Sequence, residues 1–146
     1  MFFSCDKGEY KPIYIKSVLV PSDVFINQKV SVLKSKFNDV QNIEEGCSFE
    51  DSISLNGVNK IKRHFYCHKY MALFNSSALD YIGSFSITIE DTLAFEVLKN
   101  EINHNKYDII EVNDSILRYY ANSIEIDAYK YRKWNRVEIH YRKVPN

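Results

Sequence analysis

The sequence predicts a single α+β domain spanning residues 1–146: a mostly antiparallel sheet ending in a C-terminal β-hairpin, with two or three helices covering it. Three observations carry that prediction. In residues 123–144, Ile124, Ile126 and Ala128 alternate with Glu125, Asp127 and Tyr129, and Val137, Ile139 and Tyr141 alternate with Glu138, His140 and Arg142. Such a period of two marks a half-buried strand. The intervening Lys133-Trp134-Asn135-Arg136 contains an Asn, which tolerates the positive φ of tight hairpin turns. A helical stripe in residues 92–104 and a β-branched run at 85–89 complete the argument.

In chain order, residues 10–26 read as one or two short strands broken at Pro21-Ser22-Asp23, with Pro12 and Pro21 confining them to edges or strand ends. Val30, Leu33 and Phe37 share one face of a helix expected over residues 28–38. Residues 39–60 hold Gly46, Gly57, Glu44-Glu45 and Glu50-Asp51, and read as a long acidic loop around a short strand at 52–55, ended by the Asn56-Gly57 turn. In residues 61–74, apolar and aromatic with bases interleaved, a strand would put Phe65 and Cys67 on one face and His64, Tyr66 and His68 on the other. Phe85–Ile89 is the next strand. Asp91 caps the helix that follows, where Leu93/Val97, Ala94/Leu98 and Leu98/Ile102 are stacked one turn apart, and Asn103 to Asn105 stops it. Residues 107–112 read as a short strand, and Asp114 or Ser115 as the cap of one or two helical turns through Ile116, Leu117 and Tyr120.

Composition narrows the function classes. Eleven Tyr and nine Phe with only four Gly and three Pro exclude collagen-like and linker chains. No apolar run approaches the ~18 residues of a membrane span, and MFFSCDKGEY lacks the long apolar stretch of a signal peptide. Three widely spaced cysteines (Cys5, Cys47, Cys67) without a C-x-x-C favour free thiols, so a cytoplasmic setting is expected. The formal charge of zero is unevenly placed. Residues 1–38 hold six lysines against three acids, 39–127 fifteen acids against seven bases, and 128–146 six bases against Glu138 alone. Binding through local patches is expected rather than steering by the whole field.

Candidate chemistry is sparse. His64, Cys67 and His68 would form a divalent-metal triad on a helix. On the strand they are read to occupy, the two imidazoles lie about 13 Å apart at ~3.3 Å per residue, too far for one ion. A Cys67–His nucleophilic pair for a small hydrolase has no framing motif, and a buried structural thiol is the simpler account. The isolated glycines build no phosphate-cradling loop. No metal or cofactor is expected, and no catalytic residue is assigned.

Binding residues are easier to nominate. Tyr129, Tyr131, Arg132 and Trp134 lie in a basic, aromatic stretch, 129–143, that suits either nucleic acid or a protein interface. Glu44, Glu45, Glu50 and Asp51 form an acidic patch that could mimic phosphates toward a basic partner. The reading favoured is a non-enzymatic module that neutralises or regulates another protein, such as a toxin or nuclease, by occluding its functional surface. Bacterial immunity proteins and phage-encoded inhibitors share that character by type, not by motif. A nucleic-acid-binding module using 129–143 is the alternative.

Overall fold

A computed structural model describes residues 17–70, 80–103 and 107–144. Eight strands there build one antiparallel sheet: β1 (Gln41–Ile43), β2 (Gly46–Leu55), β3 (Val58–Lys69), β4 (Ile82–Ile89), β5 (Asp108–Val112), β6 (Ile116–Ala121), β7 (Ile124–Tyr131) and β8 (Arg136–Lys143). The described residues also hold two helices, α1 (Val30–Lys36) and α2 (Leu93–Asn103). The strand order β1-β2-β3-β4-β8-β7-β6-β5 joins two four-stranded meanders along a β4–β8 seam. The chain crosses from one meander to the other through α2. The expected α+β domain, a sheet covered by two or three helices, is therefore corrected: most of the described chain is a single eight-stranded antiparallel sheet with two short helices.

Two segments account for the difference. Residues 39–60, expected as a loop around a short strand at 52–55, contain β1 and the ten-residue β2, which includes that strand. Cys47, Phe49, Ile53 and Leu55 keep the period of two, but Asp51 interrupts the apolar face and hides it. The interruption is tolerated because Asp51 meets Arg63 of β3 directly across the ladder. Residues 116–121, expected as helical turns, form β6, with Leu117 and Tyr119 buried. The capping signal upstream was real but belongs to Asn113, whose side-chain oxygen accepts the amides of Ser115 and Ile116 and closes a hairpin instead of a helix.

Other elements follow their local chemistry. Asn56 and Gly57 both carry positive φ, as do Asn122 and Ser123, the primed-turn geometry that matches strand twist. Asp91 Oδ1 accepts the Leu93 amide at 2.8 Å and caps α2. Residues 10–16, 71–74 and 104–106, and with them Cys5, lie outside the described residues. Residues 17–26 are not strand. Val18, Leu19, Val20, Phe25 and Ile26 are buried there around a 3-10 turn at Ser22–Val24. Side chains satisfy this backbone: Leu19 donates to Glu101 and Val20 to the Tyr141 hydroxyl.

One face of the sheet forms the core. Across it run the rows Cys47–Cys67–Phe85–Tyr141–Ile126–Tyr119 and Phe49–Phe65–Ile87–Ile139–Ala128–Leu117. Phe25 touches Phe37, Phe49, Phe65 and Phe85 with ring centroids 4.6–5.9 Å apart. Helix α2 lies on the same face against β2 and β7, burying Ala94, Phe95, Leu98 and Ile102. Among the described residues, no helix is long and apolar enough to cross a membrane. Among the described residues, the core and both helices lie on one side of the sheet, and no helix lies on the opposite face.

Candidate functional site: the outer face of the sheet

Strand alternation sends every second side chain to the outer face. One row there reads Glu50, His64, Thr88, Glu138 and Tyr129; the next reads Ser48, Tyr66, Ser86, His140 and Asp127. His64 stands between two carboxylates: Nδ1 is 3.1 Å from Glu50 Oε2, and Nε2 is 2.7 Å from Glu90 Oε2.

Two depressions adjoin at this histidine. One, of about 480 Å³, is lined by Asp39, Gln41, Ser48, Glu50, His64 and Tyr66. The other, of about 520 Å³, is lined by His64, Tyr66, Thr88, Glu90, Trp134 and Arg136. His64 and Tyr66 belong to both, so the surface is continuous from the β1 edge to the β7–β8 turn. Tyr66 is 39% exposed and Trp134 59%.

The turn that presents Trp134 is held in place. Residues Arg132–Trp134 form a 3-10 turn closed by Asn135 in the left-handed region. Asn135 Oδ1 accepts from the Thr92 amide at 3.0 Å and from its hydroxyl at 2.9 Å, tying the hairpin tip to the start of α2. The Tyr131 and Trp134 rings lie 5.8 Å apart, with the Arg136 guanidinium 5.4 Å from the Trp134 ring and 5.8 Å from that of Tyr131. A tip ordered before contact loses little freedom on binding.

The structure divides the nominated residues. Glu50, Tyr129, Tyr131 and Trp134 share the outer face and its rim, and Arg132 is exposed at the hairpin tip. Glu44 and Glu45 are exposed at the β1–β2 turn, where Glu45 Oε2 lies 4.0 Å from His68 Nδ1. Asp51 points the other way, into its Arg63 pair. Residues the sequence left unassigned to a partner surface stand beside them, His64, Tyr66 and Glu90, together with Arg136 of the 129–143 stretch. Their alternation was legible, but not which strands would stand beside them.

Charge on this face is largely balanced. Arg136 pairs with Glu138 at 3.4 Å, Arg142 with Glu125 at 2.9 Å, and Arg118 approaches Asp127 at 3.8 Å. Lys130 lies on the core face, 5.6 Å from the Phe95 ring. The hydrogen bond from Arg142 holds the Glu125 carboxyl below its ordinary range, whereas burial, with Glu125 beside it, raises that of Asp127. Cys67 faces the core, opposite His64 and His68, so the three do not converge. Among the described residues no group of three His, Cys, Asp or Glu side chains is placed to hold a metal ion. No protein-family model, curated protein or solved structure matches this chain.

Proposed function

We propose that this protein acts by binding another protein across the outer face between Glu50 and Trp134, and that it neutralises or regulates the partner by covering a functional surface. One observation supports the reading: Glu50 and Trp134, more than eighty residues apart in sequence, line two depressions that adjoin at the same histidine, His64. Exposed Trp and Tyr with a neighbouring Arg are the side chains that dominate protein interfaces. The nucleic-acid alternative is weaker on the same geometry, because Arg136 and Arg142 are paired with carboxylates and Lys130 is turned away, so a phosphate chain would meet mixed charge.

Affinity capture with the native chain, Trp134→Ala and Tyr66→Ala, before and after nuclease treatment, tests this. A partner held near one-to-one, resistant to nuclease and weakened about tenfold or more by Trp134→Ala, is the expected outcome, since an interface Trp that becomes buried on binding contributes on that scale. A partner indifferent to both substitutions overturns the assigned face. Nucleic acid in the eluate, with protein lost after nuclease, replaces the reading with the alternative.

A further inference from the structure

Cys47 and Cys67 are direct cross-strand partners in the β2–β3 ladder. Both are free thiols, both point to the core face, and both are fully buried. Further along the same ladder the Lys69 amide donates to the Glu45 carbonyl. Hydrogen-bonded and non-bonded pairs alternate, so Cys47–Cys67 belongs to the hydrogen-bonded class, whose Cα atoms stand about 5.5 Å apart. That distance is within the span of a disulfide. The Cβ atoms of such a pair are farther apart than the ~3.8 Å of a relaxed bridge, so the bond would draw the strands together and stay open to reduction.

We propose that Cys47 and Cys67 form a reversible oxidation site, in which hydrogen peroxide joins them into a cross-strand disulfide between β2 and β3. The two thiols are unequal. A hydrogen bond from the Cys67 thiol lowers the Cys47 thiol against the opposing effect of its own burial, with Lys34 and Lys69 adding to the lowering, while the same contact and burial raise Cys67. Cys47 therefore reacts first. Its thiolate attacks one peroxide oxygen; the S–O bond forms, the O–O bond breaks, and hydroxide leaves and takes up a proton as water. Cys67 then gives up its proton and attacks the Cys47 sulfur. The S–S bond forms, the S–O bond breaks, and the sulfenic oxygen leaves as a second water. Two thiols thus give two electrons to one peroxide, and a thiol reductant such as glutathione reverses the change.

Access is through the edge of the sheet. Cys47 is covered on its other side by Asn42 of β1, a three-residue edge strand, and short edge strands are the first to open. Peroxide is small enough to enter such an opening. The next pair on the ladder is Ser48–Tyr66, both lining the first depression, so the bond would form directly behind that surface. The chemistry of the pair does not depend on what the surface binds.

Peroxide treatment of the folded native chain, followed by alkylation and peptide mapping, tests the proposal, with Cys5→Ser as a second protein. The expected result is a Cys47–Cys67 linked peptide within one chain, formed in both proteins and lost on adding glutathione. A link made only through Cys5, a link between chains, Cys47 halted as a sulfinic acid beside a free Cys67, or thiols that stay unchanged would each overturn it. If Cys5→Ser fails to fold, the native chain alone decides, because the linked peptides identify their partners.

Discussion

Arg63 is the one charged side chain fully buried among the described residues, and its surroundings explain how β3 accommodates it. Nε and Nη2 donate to the two oxygens of Asp51 at 2.9 and 2.8 Å, Nη1 donates to the Ser17 carbonyl at 3.2 Å, and the guanidinium lies 5.0 Å from the Phe65 ring. Removing one partner of such a pair strands a charge, so Asp51→Ala should lower stability by about 3 kcal/mol or more, read by urea denaturation. The double change Asp51→Leu with Arg63→Met should recover most of that loss, since a packed apolar pair replaces the ions without leaving either alone. Residue spacing alone grouped Asp51 with Glu50 as surface acids. Strand parity separates them, and parity became readable only once β2 was known to be a strand.

Asp127 gives a second test at this scale. Burial and the neighbouring Glu125 raise its carboxyl above the ordinary value, so the folded state binds that proton more tightly than the unfolded chain. Its contribution is favourable at acid pH and turns into a cost as pH rises through the carboxylate range. Asp127→Asn should therefore stabilise the protein near neutral pH, by less than about 1 kcal/mol at so partly screened a site. The gain should vanish in acid. Thermal melts of both proteins across that range check the sign; a gain that grows in acid would reverse the assignment.

Among the elements, α2 shows how far local chemistry reaches. Its cap, its stripe and its end at Asn103 were all legible, because each depends on residues within one or two turns. Asp91→Ala should cost about 1 kcal/mol, the usual value of a lost cap, seen as a lower melting temperature. Strand β2 shows the opposite. Its period was broken by Asp51, and its entry residue Gly46 has no local signature. A Cβ at Gly46 would strike the Cys67 carbonyl oxygen, backbone that has nowhere to go. Gly46→Ala should thus destabilise the β2–β3 ladder by about 1–3 kcal/mol, the range of overpacking, and hydrogen exchange in β1 and β2 should rise before that in β7 and β8.

For the molecule as a whole, the β4–β8 seam decides the architecture, and it pairs Ile89 with Val137 across nearly fifty residues of chain. It also leaves two unlike sheet edges. β1 is short and mostly polar, whereas β5 exposes Ile109, Ile110 and Val112, with Ile110 62% exposed at a register shift. An apolar edge is a site for unwanted strand pairing, and an edge lysine is the common guard against it. Ile110→Lys should reduce light scattering by concentrated protein on mild heating while leaving the melting temperature nearly unchanged.

By itself the sequence determined the pieces whose causes are local: the turn at Asn56-Gly57, the capped helix α2, the strands β3 and β4 and the hairpin β7–β8. Periodicity and turn chemistry act between near neighbours, so they leave marks in the order of residues. Only the tertiary structure decided that the strand expected at 52–55 begins at residue 46, that residues 116–121 are a strand, that β8 stands beside β4, that Asp51 faces Arg63, that Cys47 faces Cys67, and that Glu50 and Trp134 flank His64. These facts rest on pairing between distant strands. An interrupted apolar pattern is completed there by a partner across the ladder, and hydrogen bonds between backbones carry no imprint of which two sequences will share them.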